Sequence, residues 1–348
     1  MLNADNLSRI EQIASWLPVV YRAGFEYELG SINGGLDFQQ GIFLHDQEVY
    51  RLLEASESLS ADTPRQLVFL HTVSAVIREI ANSVSPIHPY IRQLWLEFDC
   101  RHSSMASDQP SIFLALVYEP TEFAVASEAV CRAYVLLTGQ CLDSDTQANL
   151  NLIFKCAVTT KGISHAGFMI GREDGGLRLV LPVTDVDGLE TLLTGTAWKG
   201  DKIQNLEFYR WLATLFPEIR LCIDIKGCSV QPTGFECFFK SNDRGNPRKA
   251  EIPEILAELT SKNLCGAHEA KFMEDWPGWI CPTDRPRDWP DDLLVRSLSV
   301  PENCFLLLER QLSHIKFSEL ESAKPTAKIY FGFVERTIES RKPVKGST

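Results

Sequence analysis

The chain reads as an α+β fold in which about ten antiparallel strands close into a barrel wrapped by helices. Three observations carry that expectation. Apolar and polar residues alternate over several short stretches, the stretches come in pairs around turn-rich segments, and each pair is bracketed by helical spacing. The pairs recur at intervals of roughly 60 to 75 residues, with a longer last gap, a period that marks repeated supersecondary units. Closure would remove the sheet edges, set the apolar strand faces under the helices and turn the polar faces onto a lumen. An open sheet with a solvent-facing polar side satisfies the same local pattern, because alternation is the general antiparallel signature.

Taken in order, residues 6–23 place Leu7, Ile10, Ile13, Ala14 and Leu17 on one helical face, with Pro18 as a stop. Segments 25–29 and 38–44 flank the Gly- and Asn-rich 30–35 turn as the first and least regular hairpin. Segments 47–59 and 63–83 read as helices. In residues 94–120, Leu94, Leu96 and Phe98 alternate with Trp95, Glu97 and Asp99, so one strand face is apolar and the other carries an indole and two carboxylates. A helical region at 127–155 precedes a hairpin of 165–170 and 177–182 around the turn 172–176. Helices at 187–193 and 203–216 lead to strands 220–225 and 234–239, then a helix at 251–263. The Trp- and Pro-crowded 275–292 is expected to be an ordered loop, and long loops are often lids or binding elements. Strands 314–319 and 327–335 complete the barrel. Residues 1–339 would form one barrel unit, with 1–85 as its first repeat, and the Lys-, Pro-, Gly- and Ser-rich 340–348 a fraying tail.

With 45% hydrophobic and 23% charged residues, the 348-residue chain has the composition of a globular protein. Its 34 Lys and Arg against 46 Asp and Glu leave a net charge of -12, which argues against a nucleic-acid surface and confines any anion site to a local pocket. The ten cysteines form no CxxC pair, and the opening lacks a basic region and an apolar core, so reduced thiols and a cytoplasmic location are expected. No run of about 18 apolar residues offers a membrane span. Cys265, His268 and Cys281 do not specify a zinc site, the 30–35 segment lacks the Lys-Ser/Thr ending of a phosphate loop, and no metal site is expected.

Under closure the inward faces would carry Trp95, Glu97, Asp99 and Arg101, then His165, Met169 and Arg178, then Arg220, Cys222, Asp224 and Lys226, and last His314, Lys316, Ser318, Lys328 and Tyr330. Converging Arg and Lys suit a phosphate or diphosphate, since Arg grips its oxygens with paired hydrogen bonds. Glu97 or Asp99 would be the base, its proton affinity raised by apolar and aromatic walls. Trp95, with Trp276 and Trp279 of the long loop, would contact an acceptor; the loop tryptophans serve equally as anchors to the core.

The LEFD run, the second strand ending YEP, the repeated units and the closing strand KIYF resemble the ABBA-type aromatic prenyltransferases, especially the indole-modifying branch. The resemblance implies a barrel of about ten strands inside helices, Glu97 as the residue that assists acceptor deprotonation, and Lys328 and Tyr330 as the Lys-x-Tyr shield around a prenyl diphosphate. Arg178, Arg220, Lys226, His314 and Lys316 would complete that cradle. Val180, Phe235 and Cys237 stand where the pattern has other residues, and Ala115 where it has Arg. No Asp-rich motif demands magnesium, although a magnesium ion is compatible with a diphosphate. The C-terminal third, with NLCGAHEAKFMEDWPG and LSHIKFSEL, also resembles an uncharacterised bacterial family associated with ribosomally made, modified peptides. Together these imply transfer of an allylic group from a prenyl diphosphate to an electron-rich aromatic acceptor, a peptide side chain or natural product. A non-catalytic peptide binder, or a different peptide-tailoring enzyme on the same barrel, stays open.

Overall fold

The computed structural model describes residues 4–17, 22–31, 35–43, 48–57, 69–100, 109–170, 172, 175–196, 198, 200–240, 251–284, 289–318 and 325–339. Arg101, residues 63–68 of the second expected helix and the tail 340–348 lie outside them. Eleven strands form one antiparallel sheet. They are β1 (Arg22–Glu28), β2 (Leu36–Phe43), β3 (Ile91–Phe98), β4 (Ser111–Leu116), β5 (His165–Phe168), β6 (Leu177–Val183), β7 (Glu218–Lys226), β8 (Ser229–Phe238), β9 (Gly278–Ile280), β10 (Cys304–Ser318) and β11 (Thr326–Glu339). Each strand from β1 to β7 pairs with the next, β8 pairs with β10, β10 with β11, and β11 returns to β1. Ten strands therefore close a barrel, and β9 adds to the part of β10 that runs beyond it.

Helices α1 (Ala4–Trp16), α2 (Glu48–Glu57), α3 (Phe69–Ala81), α4 (Phe123–Thr138), α5 (Ser144–Cys156), α6 (Val186–Gly195), α7 (Lys202–Leu215), α8 (Ile252–Ser261), α9 (Ala267–Asp275) and α10 (Asp291–Ser297) complete the chain. The core lies between sheet and helices, where Leu94, Leu96, Leu114, Leu179, Leu221, Phe235, Phe317 and Ile329 are fully buried. Each such side chain removed from water is worth about 1.5–3 kcal/mol. This is the architecture of the prenyltransferase-type barrel that the sequence leads one to expect. None of the described helices is long and apolar enough to cross a membrane.

Local chemistry explains where the elements stop. The expected 127–155 helix is two: Gly139 takes a left-handed conformation at the end of α4, and Asp143 accepts hydrogen bonds from the Asp145 and Thr146 amides to start α5. Asp185 and Asp201 cap α6 and α7 in the same way. The first helix ends at Trp16, just ahead of the stop expected at Pro18, and Arg22 and Ala23 already belong to β1. The 275–292 segment contains β9 and leads into α10, so it is more regular than a loop.

The connections between β2 and β3, β4 and β5, and β6 and β7 carry helices and leave from one end of the barrel, whereas the hairpin turns lie at the other. The lumen thus has a helix-crossover end and a hairpin end.

Candidate functional site

Cross-strand partners share a sheet face, so the ladder assigns the lumen side residue by residue. One row runs Gly41, Trp95, Phe113, Gly167, Arg178, Asp224. A second runs Arg220, Glu236, Lys316, Lys328, Glu28. A third runs Phe238, His314, Tyr330, Glu26, Asp37. Glu97 pairs with Gln39 and Ser111 in the same sense. The glycines make room for the aromatic rings: a Cβ on Gly41 would lie 2.8 Å from Trp95, and one on Gly167 2.4 Å from Phe113.

Two cavities lined by described residues lie in the lumen. The larger, about 390 Å³, opens at the helix-crossover end between Arg22, Gln93 and Val334 and reaches inward to Glu97, His165, Arg220, Glu236, Lys316 and Tyr330. The smaller, about 350 Å³, lies at the hairpin end among Met169, Arg172, Arg178, Asp224, Lys226 and Gln231. Arg220 and Lys316 therefore share one space, and Arg178 and Lys226 share another, so the expected diphosphate cradle is divided. The charged lining of the larger cavity is Arg22, Arg220 and Lys316 against Glu97 and Glu236.

Most of these charges are internally matched. Arg178 donates from Nε and Nη2 to the Asp224 carboxylate at 2.6 and 2.8 Å. Lys328 Nζ binds Glu26 Oε1 at 2.7 Å, and the Tyr330 hydroxyl donates to Glu26 Oε2. Arg220 donates to Glu218 and lies 4.1 Å from the Phe238 ring centroid. Glu97 accepts from Gln39 Nε2 at 2.8 Å and from Arg172 Nη2 at 2.9 Å, and Asp99 takes the rest of the Arg172 fork. Lys316 differs: it is buried in the larger cavity and forms no ion pair among the described residues.

Burial, reinforced by the like charge of Glu26, holds the Glu97 carboxyl above its ordinary proton affinity, with Arg172 and Lys316 opposing. Burial acts on Glu236 in the same direction, but His314, Lys316, His165 and Arg220 outweigh it and keep that carboxyl below its usual range. His165 and His314 are each pushed down to about 4 by burial, so both imidazoles are neutral at pH 7. His314 stacks between Phe238 and Tyr330, with ring centroids 4.7 and 4.1 Å apart. Its Nδ1 faces Ser313 Oγ at 2.9 Å, and its buried Nε2 has no hydrogen-bond partner among the described residues.

The tryptophans part company. Trp95 lines the larger cavity. Trp276 donates to the Gln311 and Gly332 carbonyls and packs edge-on against Phe331, fastening the end of α9 to the helix-covered face of β10 and β11. Trp279 pairs with Glu309, which pairs with Val334 and through it Arg22, so it shares the lumen-side face above the larger cavity.

Glu26, Arg172, Glu236, Phe113 and Gln93 are site residues that the strand pattern did not single out. Glu236 and Phe238 replace Phe235 and Cys237 on the lumen side, because the register shifts at the β7–β8 bulge beside Gly234. Among the described residues no group of three or more His, Cys, Asp or Glu is placed to hold a metal, and the Cys265 thiol, pushed up to about 12 by burial, makes a contact with the Gly266 carbonyl. No family model matches the chain and no curated protein matches it, so the closed helix-wrapped barrel is what this protein has in common with the prenyltransferase-type class.

Proposed function

We propose that the larger cavity is the active site of an aromatic prenyltransferase, which alkylates an electron-rich aromatic side chain or small aromatic with an allylic group from a prenyl diphosphate. The observation that carries this reading is the meeting, in one cavity, of a proton-avid carboxylate, an ammonium with no ion pair among the described residues, and aromatic walls: Glu97, Lys316, and Trp95, Phe113, Phe238 and Tyr330. Lys316 and Arg220 would hold the diphosphate oxygens. As the allylic carbon–oxygen bond breaks, diphosphate leaves with the electron pair, and the ring of Tyr330 shields the cation. The acceptor ring attacks that carbon, and Glu97 takes the proton displaced from the ring. A preorganised, water-poor site supplies the stabilisation of the separating charges.

The test is incubation with dimethylallyl or geranyl diphosphate and tryptophan- or tyrosine-containing peptides, with and without magnesium, read by mass spectrometry. A mass gain of one prenyl group supports the reading. Absence of diphosphate binding by calorimetry would sink it. The non-catalytic alternative predicts peptide binding without turnover, unchanged in Glu97→Gln.

A further inference from the structure

The turn between β5 and β6 sends one guanidinium into the lumen from the hairpin end. Arg172 donates from Nε and Nη2 to Asp99 at 2.9 and 3.0 Å and from the same Nη2 to Glu97 Oε1 at 2.9 Å. The two-point grip of Asp99 fixes the plane of the fork, and with it the direction from which Nη2 meets Glu97. Gln39 holds the other carboxylate oxygen. Arg172 lines the smaller cavity while Glu97 lines the larger, so their ion pair stands between the two.

We infer that Arg172 is the positioning residue for Glu97, setting the orientation of its carboxylate toward the larger cavity and partitioning the lumen; this rests on the reading of Glu97 as the base. The groups that face Glu97 are Glu26 from β1, Gln39 from β2, Asp99 beyond β3, Arg172 from the turn, Arg178 from β6, Lys316 from β10 and Tyr330 from β11. Of the cations, Arg172 alone in that set is hydrogen-bonded to Glu97 among the described residues. It acts on the proton affinity of Glu97 directly, and the others act through space. The Arg172 side chain is 31% exposed on the smaller-cavity side, so shortening it leaves a space that a small planar cation can enter from the hairpin end.

The experiment follows the Glu97 carboxyl by carbon-13 NMR in glutamate-labelled protein, with Glu97→Gln assigning the resonance. In Arg172→Ala the titration midpoint is expected to rise by about 1 pH unit or more, the usual effect of removing an adjacent cation. Arg172→Lys should shift it less, because it keeps a positive charge near Glu97 though it cannot grip both carboxylates, and added guanidinium should return the alanine variant toward the parent value. The acid limb of the kcat/KM profile for prenyl transfer should move upward with the midpoint. A folded Arg172→Ala protein whose Glu97 titrates as in the parent overturns the inference, as does failure of both lysine and guanidinium to restore the midpoint. If no prenyl diphosphate is turned over, the prenyl-transfer reading falls while the NMR midpoint still decides whether Arg172 controls Glu97.

Discussion

Glu97 and the two lumen histidines show how burial sorts titratable groups in one space. Loss of water raises the proton affinity of the carboxyl and lowers that of each imidazole, so both kinds of group tend toward neutrality. Replacing Glu97 with Gln keeps the shape and the Gln39 contact region but removes the proton acceptor. Turnover should fall at least about 100-fold with little change in diphosphate affinity, read by kinetics beside calorimetry. The histidines give a stability test. Each binds protons from about 6.5 when unfolded but only near 4 when folded. The unfolded state therefore gains protons first as pH falls, and stability present above pH 6.5 is lost progressively toward pH 4. Two such groups are worth roughly 3 kcal/mol each at the acid end. Urea midpoints should drop between pH 7 and pH 5, and the drop should shrink in His314→Gln. Residues of this kind were legible in part. Glu97, Lys316 and His314 stand out by alternation, whereas Arg172 sits in a turn whose local pattern gives no hint of carboxylates 73 and 75 positions away.

At the level of elements, strand faces are readable because a period of two survives wherever a strand is regular. It fails at irregularities. The shift between Cys222 and Ile223 opposite Gly234 moves Glu236 and Phe238 to the lumen, and the one between Leu312 and His314 resets the long β10. Gly332 marks the seam where β1 meets β11. A Cβ there would lie 2.1 Å from the Ala23 carbonyl oxygen, which is backbone and cannot swing away. Gly332→Ala is expected to cost about 3 kcal/mol or more in urea unfolding, as overpacked sites do. Gly175→Ala, whose added carbon would meet nothing closer than 3.7 Å among the described residues, should be near neutral. The short β9 escaped notice because three residues between a helix and a turn are too few to display alternation.

For the molecule as a whole, the order of strands in space follows the order in sequence, apart from β9 and the closing pair. Helix-wrapped hairpin repeats are thus enough to suggest closure, since sequential pairing leaves the first and last strands as the remaining edges. What pattern alone could not give is the content of the lumen. A net charge of -12 says nothing about a space where cations and carboxylates from neighbouring strands are matched at hydrogen-bond distance.

The pairing of Arg22 with Val334 joins residues 312 positions apart, whereas β7 and β8 meet across the turn at Gly227. Loop-closure entropy grows with that separation, so distant pairings are rewarded late. The barrel then has a history as well as a shape: its interior exists as a chamber only after its most remote contact has formed. Pulse-labelled hydrogen exchange during refolding should find the amides of β7 and β8 protected before those of β1, and any ligand of the lumen should bind only in step with the latter.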